Sequence, residues 1–476
     1  MTLLDRRAFL SACCAAGVVP AFAAASSDAP LAIGSRRELF VDDTLVESLT
    51  GDAQLRLGTP IPREPALKLD RPHEGPFSAY FTVLICDDRK YRLYYRGVPD
   101  AGQDGRGNEV TCYAESADGL QFTKPANNIL LANQPPFQHN FCPFVDRNPR
   151  TSTGRYKALS GIASSGLRAW TSDDAVHWKP LRTDPVMPAT KLPMFDSQNL
   201  AFYSEHEGCY VAYVRQFRNK IRSIVRATSA DFINWTPFEP LEIEGTQEHL
   251  YTNQLHPYFR AAHVYVGIAA RFMPGRQVLS DEEAKQVGVV AGYFKDTSDC
   301  VLITTRGGNR IQRTHRDGFL RPGYGLSRWS SRGNYPALNI VPTGSDGSEM
   351  SFYVNRDYGQ PSNYLQRIAL RTDGLASVHA GWRGGQLMTK ALTFTGRELE
   401  VNYSTSAAGS VRVGVIPAEQ GATGRPVTDC DELIGDRLDG VVRWRGSSDV
   451  AALAGKPVRL VFQLRDADLY SYRFRS

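Results

Sequence analysis

The sequence predicts an all-β protein, a five-bladed β-propeller followed by a C-terminal antiparallel β-sandwich. Between about residues 39 and 378, short runs rich in Val, Ile, Tyr, Phe and Thr alternate with Gly, Asp, Asn and Pro, as is typical of many short strands. A similar segment of polar and then apolar residues opens five successive units, which begin at Gly75, His139, Phe195, Tyr251 and Gly333. Because one four-stranded sheet cannot bury both of its faces alone, five such units predict five blades packed around an axis.

Each unit continues with two further strands. The predicted second strands begin at Lys90, Gly154, Gly208, Ala262 and Glu349. The predicted third strands begin at Glu109, Ser165, Ile221, Asp299 and Leu365. Three of the third strands run into the pattern Ser-x-Asp-x-x-x-aromatic, in which side-chain oxygens can cap the turn, at Ser116, Ser172 and Ser229. We expect these turns to be structural.

The pattern changes near residue 379. From there to residue 476, apolar and polar residues alternate without the repeat, which favours an antiparallel sandwich. The predicted domains are therefore a leader over residues 1–30, a propeller over residues 31–378 and a sandwich over residues 379–476.

The first residues resemble an export signal. Arg6 and Arg7 precede an apolar stretch, and Ala21-Phe22-Ala23 offers a small-residue cleavage site, as in twin-arginine signal peptides. The apolar stretch is shorter than the ~20 residues that a membrane span needs. We therefore predict export by the twin-arginine route, a periplasmic or secreted location and no membrane span.

Charge and cysteine content argue against several classes of partner. The formal net charge is +5, from 55 Lys and Arg against 50 Asp and Glu, and no basic run could track a phosphate backbone. Nucleic acid is therefore not a predicted partner. The cysteines beyond the leader stand singly, without zinc or redox spacing, and are expected to be buried free thiols. No metal ligand set and no cofactor are predicted, although a structural calcium ion stays open.

The functional prediction follows from the repeat. The inner strand of each blade lines the axis, so the residues that open the five units should meet in one funnel. The carboxylates at or just before these positions are Asp70, Glu74, Asp196 and Glu248. The other polar residues expected to contact a sugar are Arg71, His139, Asn140, Asn199, Asn253, Arg332 and Asn334. Such a funnel suits glycosidic-bond hydrolysis, in which one acid protonates the leaving oxygen and another carboxylate attacks the sugar or activates water.

Several segments resemble a known group of proteins. The segments are LFVDDTLVES from Leu39, HEGPFSAYFTV from His73, FDSQNLAF from Phe195, EHLYTN from Glu248 and NRDYGQPSNYL from Asn355. They are similar to an exported bacterial group labelled family-32-like, and the five blades with a trailing sandwich resemble glycoside hydrolase families 32 and 43. The resemblance implies an exported hydrolase of a poly- or oligosaccharide.

The resemblance also implies roles for the acids. Glu248 would be the general acid, either Glu74 or Asp70 would be the base or nucleophile, and Asp196 would hold the sugar and tune the acid. The second blade departs from the family pattern, because Asn140 stands where an Asp is expected. The sequence also lacks the WMNDPNG-like opening of that family, so fructan activity is not implied.

Two alternatives stay open on the sequence. The same funnel could bind a carbohydrate without cleaving it. A sialidase-like or lyase activity would instead need a cluster of arginines, or a tyrosine and a histidine, facing the funnel. The sequence offers Arg96, Arg271, Arg332 and Arg356 for that role. The oligomeric state is left open.

Overall fold

The computed structural model describes residues 29–100, 105–151, 154–245, 248–419 and 421–476. The predicted leader lies outside these ranges, apart from residues 29 and 30. Within them, no helix is long and apolar enough to cross a membrane.

An α-helix occupies Asp281–Gln286, where Ser280 and Glu283 form a capping box. Single 3₁₀ turns occupy Leu326–Trp329, Val427–Asp429 and Ala451–Leu453.

Five antiparallel sheets form the predicted blades, which confirms the propeller. From the axis outward, blade 1 consists of Ala79–Ile85, Tyr91–Gly97, Val110–Ser116 and Ile129–Leu131. Blade 2 consists of Cys142–Val145, Tyr156–Ile162, Gly166–Ser172 and Lys179–Pro180. Blade 3 consists of Leu200–Ser204, Cys209–Arg218, Ile221–Ser229 and Glu239–Pro240. The predicted turns are also present, since the hydroxyls of Ser116, Ser172 and Ser229 each accept a backbone N–H three residues on.

The last two blades have divided inner strands. Blade 4 consists of His249–Thr252 with His256–Tyr258, then Ala261–Met273 and Thr297–Thr305. A short parallel pair, Glu242–Ile243 with Arg310–Ile311, lies beside it. Blade 5 consists of Asn334–Pro336 with Val341–Pro342, then Glu349–Arg356, Tyr364–Arg371 and Ile61–Lys68.

The outermost strand of blade 5 closes the ring. Ile61–Lys68 precedes blade 1 in the chain but pairs antiparallel with Tyr364–Arg371 of blade 5. The chain therefore ties its last blade to its first by backbone hydrogen bonds. The second strands are apolar on both faces because every blade is covered by a neighbour on either side, as the buried Tyr94 and Tyr213 illustrate.

A separate ten-stranded sheet combines both ends of the described chain. Its strands are Leu31–Gly34, Glu38–Leu39, Val46–Gly51, Gln54–Leu57, Ala376–Ala380, Gly385–Thr389, Leu392–Phe394, Glu398–Pro417, Asp436–Val441 and Val458–Arg475. The sheet encloses its own apolar core, which includes Phe40, Val413, Phe462 and Phe474. We call it the terminal sheet.

The terminal sheet differs from the predicted domain boundaries. The prediction placed residues 31–57 in the propeller, whereas they pair with strands from the C-terminal part of the chain. The physical reason is that alternation of apolar residues fixes which face of a strand is buried but not which strand it pairs with. Ion pairs join this sheet to blade 4, from Arg306 to the buried Glu38 and from Arg260 to Asp439.

The five inner strands are joined at the axis by two buried amides, Gln198 and Gln254, which we call the axial amide pair. Gln198 Nε2 donates to Phe81 O at 3.1 Å and to Thr82 Oγ1 at 2.9 Å in blade 1. Gln254 Nε2 donates to Gln198 Oε1 and to Pro336 O of blade 5, both at 2.6 Å. Gln198 Nε2 also lies 4.0 Å from Cys142 Sγ of blade 2. The amide pair thus contacts all five blades.

His256 adds a second connection between blades 4 and 5. Its Nδ1 lies 2.8 Å from Gln254 O, and its Nε2 accepts the backbone N–H of Ile340 at 3.1 Å. An imidazole that donates at Nδ1 and accepts at Nε2 is the neutral tautomer. Burial lowers the pKa of His256 to about 4, partly opposed by the hydrogen bond to Gln254.

Substitution of Gln198 is expected to destabilise the whole propeller. Gln198→Ala removes the contacts to blades 1 and 4 and leaves buried polar groups without partners, so the free energy of unfolding should fall by about 2–4 kcal/mol. Chemical denaturation followed by fluorescence measures this change. Gln463→Ala, an exposed glutamine of the terminal sheet, is the matched control and should change stability by less than about 0.5 kcal/mol. Equal effects of the two substitutions would contradict a structural role for the amide pair.

His256 is expected to make the fold sensitive to mild acid. Its pKa in the folded chain, about 4, lies below the value of roughly 6.5 in the unfolded chain, so the unfolded state binds the proton more tightly. The stability that neutral His256 contributes is complete above about pH 6.5 and is lost as pH falls towards 4. The free energy of unfolding should therefore drop by up to about 3 kcal/mol over this window. His256→Gln should flatten that slope, whereas substitution of the exposed His177 should leave it unchanged.

Candidate functional site

A non-glycine residue with positive φ stands at the head of every inner strand or inside its break. The five residues are Tyr80 (59°), Asn140 (48°), Phe195 (64°), Gln254 (52°) and Arg332 (61°). Side chains rarely adopt this left-handed conformation, and such strained residues cluster at functional sites. The end of the axis where the inner strands begin, which we call the funnel, is therefore the candidate site.

Asp196 is the carboxylate of the funnel. Its side chain is 46 % exposed, and its Oδ2 accepts a hydrogen bond from Arg215 Nη2 at 2.5 Å. Partial burial raises the pKa of Asp196. The charges of Arg215 and Arg332 and the hydrogen bond from Arg215 outweigh this effect, so the pKa lies below its ordinary value. Asp196 is thus an ionised, accessible carboxylate at neutral pH. Such a group can act as a base, a nucleophile or a stabiliser of positive charge, but not as a proton donor.

Arginines and tyrosines surround Asp196. The guanidinium carbons of Arg215, Arg222 and Arg332 lie 5.0, 4.9 and 5.2 Å from the ring centroid of Tyr251. Tyr335 packs against the same ring with its centroid 4.9 Å away. Each cation over an aromatic face is stabilised by the ring quadrupole, more strongly where water is excluded. The cluster therefore holds three cations close together, of which Arg215 is paired with Asp196.

On the blade 1 side, Arg96 and Tyr80 extend the cluster. The Arg96 guanidinium lies 4.7 Å from the Tyr80 ring centroid, and its Nη1 is 3.4 Å from Asn140 Oδ1. Burial raises the pKa values of Tyr80 and Tyr335 well above the ordinary range. Both phenols are therefore neutral hydrogen-bond donors at physiological pH.

Several buried donors in the funnel have no hydrogen-bond partner among the described residues. They are the Nε atoms of Arg215 and Arg222, Asn140 Nδ2 and Tyr335 Oη. Buried polar groups in proteins are nearly always satisfied by protein, water or ligand. A set of unmet donors around one carboxylate therefore indicates a site for a ligand that is rich in oxygen acceptors.

His139 forms a buried pair with Glu109 at the edge of the funnel. His139 Nδ1 lies 2.8 Å from Glu109 Oε1, and His139 Nε2 has no partner among the described residues. Burial raises the pKa of Glu109, and the interaction with His139 overcomes this and lowers it overall. The charge of His139 also acts on Asp196. The pair can hold the imidazole in one orientation and can move a proton.

Three of the four predicted asparagines, all except Asn140, make hydrogen bonds to the backbone. Asn199 Nδ2 donates to Phe195 O and Ser197 O, and Asn253 Oδ1 accepts from Leu255 N. Asn334 accepts from Arg356 and donates to Ser298 O. These side chains shape the loops that present the funnel residues.

Glu74 and Asp70 belong to a different cluster, beside blade 1. The Glu74 side chain is fully buried, and it accepts from Tyr95 Oη at 2.5 Å, from Lys124 Nζ at 2.6 Å and from the backbone N–H of Arg71 at 2.9 Å. Asp70 is 69 % exposed and shares Lys124 at 2.7 Å. The hydrogen bond from Lys124 lowers the pKa of Asp70. None of these contacts reaches the residues around Asp196.

Glu248 is likewise held by cations, in blade 4. Its Oε1 accepts from Arg271 at 3.1 Å, and its Oε2 accepts from Arg313 at 2.8 and 2.9 Å. Arg271 in turn binds Asp299 at 2.6 Å. Both oxygens of Glu248 are thus occupied by guanidinium groups. Of the four predicted acids, the contacts place only Asp196 within the arginine and tyrosine cluster.

His73, Glu74 and Cys112 form the described group whose spacing could suit a metal, with ligand atoms within 4.8 Å of one another. Lys124 already supplies a positive charge 2.6 Å from Glu74. Burial raises the pKa of the Cys112 thiol, so it stays neutral and is a poor ligand. These three residues therefore do not favour a cation.

The sequence analysis missed Arg215, Arg222, Tyr80 and Glu109. A signal for Arg215 was present, because an arginine recurs near the funnel end of the second strand in four units, at Arg96, Arg215, Arg271 and Arg356. The antiparallel hairpin of each blade returns this position to the start of the inner strand, as the pairing of Ala79 with Arg96 shows.

Glu74 and Asp70 share a cation but should differ sharply in their contribution to stability. Glu74→Gln removes the negative charge beside buried Lys124 and replaces one of the two acceptor oxygens with an amide donor, so it should lower the free energy of unfolding by about 3–5 kcal/mol. Asp70→Asn removes an exposed partner of the same lysine and should cost less than about 1 kcal/mol. Thermal and chemical denaturation of both variants tests this contrast, and a small effect of Glu74→Gln would argue against a structural role.

Comparison with known proteins gives only distant likenesses. No protein-family model matches the chain, and no curated protein sequence matches significantly. Solved structures similar to it include an N-acetylgalactosamine deacetylase from F. plautii (14 % identity, TM-score 0.43, 67 % of this chain and 96 % of that one). An α-L-arabinofuranosidase of Fusarium graminearum has 10 % identity and a TM-score of 0.41, covering 68 % of this chain and 99 % of that one. A fructofuranosidase from Schwanniomyces occidentalis has 10 % identity and a TM-score of 0.40, covering 86 % and 96 %. At these values the likenesses assign no function.

Proposed function

We propose that the protein is an exported glycoside hydrolase that cleaves a poly- or oligosaccharide in the funnel. The observation that supports this most is the position of Asp196, an accessible and ionised carboxylate at the point where five inner strands converge. Glycosidic cleavage develops positive charge on the sugar ring in the transition state, and a nearby carboxylate stabilises it. Tyr80, Tyr251 and Tyr335 are buried beneath this site, where the rings of Tyr80 and Tyr251 hold the arginines in place.

A partner for Asp196 must deliver a proton to the leaving oxygen. Glu248 and Glu74 are committed to arginine and lysine, so we assign this role to His139, which Glu109 holds through Nδ1. A histidine can donate a proton near neutral pH, either directly or through one water molecule. In this scheme Asp196 acts as nucleophile or base, and the family pattern of paired carboxylates is replaced by a carboxylate and an imidazole.

A lyase is the second candidate, and the arginine cluster favours it. Lyases that act on acidic sugars abstract a proton next to a carboxylate, whose charge must first be neutralised. Tyr80, His139 and the arginines near Tyr251 supply such groups. A lyase product contains a carbon–carbon double bond and absorbs ultraviolet light, whereas a hydrolase product does not.

The remaining features complete the proposal. Export rests on the twin-arginine pattern at Arg6 and Arg7. The terminal sheet, which we propose to be a β-sandwich, braces blade 4 through Arg306 and Arg260. The proposed chemistry uses side chains alone, and the partner is a carbohydrate.

Two matched substitutions distinguish this assignment from the one that the resemblance implies. Asp196→Asn should lower turnover at least ~100-fold with little loss of stability, because it removes the charge that the transition state requires. Glu248→Gln should retain turnover and lower the melting temperature, because it disrupts the pair with Arg271 and Arg313. Turnover is measured by release of reducing ends from a panel of neutral and acidic poly- and oligosaccharides.

Three outcomes would count against the proposal. Full turnover by Asp196→Asn would remove this residue from the mechanism. Loss of turnover by Glu248→Gln, with its fold intact, would restore Glu248 as the acid. Saccharide binding by the wild type without any turnover would indicate a binding propeller instead of an enzyme.

A further inference from the structure

We infer that the funnel contains a subsite for an oxyanion, a carboxylate or a sulfate ester carried by the saccharide, and that Arg332 is its centre. This inference rests on the proposed function in one respect, that the ligand of the funnel is a carbohydrate. The inference concerns which carbohydrates are bound, and it is independent of the bond that is cleaved.

The floor of the funnel carries an excess of positive charge. Three guanidinium groups, those of Arg215, Arg222 and Arg332, gather around the ring of Tyr251. Among the residues that the structure describes, the carboxylate in contact with these groups is Asp196, which Arg215 binds. Within the described part of the chain, positive charge is therefore in excess, and uncompensated charge is costly where water is excluded.

The guanidinium of Arg332 is held by aromatic rings. Among the described residues, it makes no hydrogen bond or ion pair. Its guanidinium lies 5.2 Å from the Tyr251 ring centroid and 5.3 Å from that of Tyr293. Its backbone has a φ of 61°, so it is held in a strained conformation at the head of the blade 5 inner strand. Aromatic contacts fix such a side chain in place while leaving its five N–H groups available to a ligand.

Three buried donors near Tyr251 have no partner among the described residues. Arg215 Nε, Arg222 Nε and Tyr335 Oη are buried and unpartnered among the described residues, and all three side chains contact the neighbourhood of Tyr251. A neutral hydroxyl brings a donor as well as an acceptor to such a site. An oxyanion brings acceptors only, and hydrogen bonds between charged groups are roughly twice as strong as neutral ones. Several neighbouring donors without an acceptor therefore favour an anionic ligand.

The planar fork of an arginine binds carboxylate and sulfate alike. The shared chemistry is an oxyanion, and its two sources are a uronic acid and a sulfated sugar. Binding measurements on both kinds of sugar separate them.

Equilibrium binding by titration calorimetry tests the subsite on the wild type and on Arg332→Ala, Arg332→Lys and Arg445→Ala. The probes are glucuronate and galacturonate, sulfated glucose and sulfated galactose, and the neutral parent sugars. We expect the wild type to bind at least one anionic sugar about 10- to 100-fold more tightly than its neutral parent. Arg332→Ala should abolish that preference, and Arg332→Lys should retain part of it. Arg445, 79 % exposed in the terminal sheet, is the matched control and should bind like the wild type.

Raised salt provides a second measurement that needs no variant. The preference of the wild type for the anionic sugar should shrink as ionic strength increases, because the attraction is between charges. Equal affinity of the wild type for anionic and neutral sugars, or an unchanged preference in a folded Arg332→Ala, would overturn the inference.

The failure of this inference and that of the proposed function are separable. Asp196-dependent turnover of neutral saccharides, without preference for anionic ones, would remove the subsite and leave the hydrolase. Arg332-dependent preference for an anionic sugar, without turnover of any saccharide in the panel, would keep the subsite and remove the hydrolase.

Discussion

The axial amide pair is the interaction on which the rest of the propeller depends. The edges of five sheets meet at the axis, and the backbone carbonyls on those edges must find donors that a neighbouring strand cannot always supply. Gln198 donates to a carbonyl of blade 1, Gln254 donates to a carbonyl of blade 5 and to Gln198, and both side chains are fully buried. Because each bond joins different blades, the pair fixes the relative positions of the inner strands. A site built from the heads of those strands is thereby preorganised.

The amide pair also separates two unlike ends of the axis. On the side of the strand starts lie the strained residues Tyr80 and Arg332, the arginines and Asp196. On the other side lies a cavity of about 370 Å³ with a mixed lining, in which Val83, Leu255 and Leu338 stand beside Glu205 and Asn339. Left-handed residues cost of order 1–3 kcal/mol each, and they are tolerated at the funnel because the strands beneath them are held so firmly.

The sequence was sufficient to predict the blades but not their closure. Each second and third strand was recognised from its own composition, because a strand covered on both faces is rich in apolar residues, as residues 210–214 within Cys209–Arg218 are. Pairing of Ile61–Lys68 with blade 5 and of residues 31–57 with the terminal sheet depends on partners some 300 residues away. Local periodicity carries no information about such partners, so residues 31–57 were assigned to the propeller and Ile61–Lys68 was assigned no partner.

The same limit applies to the site. Asp196 and Glu74 both stand shortly before an inner strand, Leu200–Ser204 and Ala79–Ile85, but Glu74 turns away from the axis towards Lys124 and Tyr95. Position along the chain places the backbone but does not fix the direction of a side chain that precedes the strand. Arg215 and Arg222 were missed because they are distant in sequence from the inner strand. They lie on the second and third strands, and the antiparallel hairpins bring them back to the funnel.

The charges in the funnel determine which of its groups can donate a proton. The arginines that lower the pKa of Asp196 keep it ionised, and the same arginines therefore prevent it from donating a proton. A second carboxylate in this surrounding would experience the same field. A proton donor in the funnel therefore needs a negative charge beside it, which offsets the arginines and stabilises the protonated form. His139 has such a partner, because its Nδ1 lies 2.8 Å from Glu109 Oε1. In the scheme that we propose, the arginine cluster thus accounts for two features together, the preference for an anionic sugar and the use of histidine where paired-carboxylate hydrolases employ a carboxylic acid.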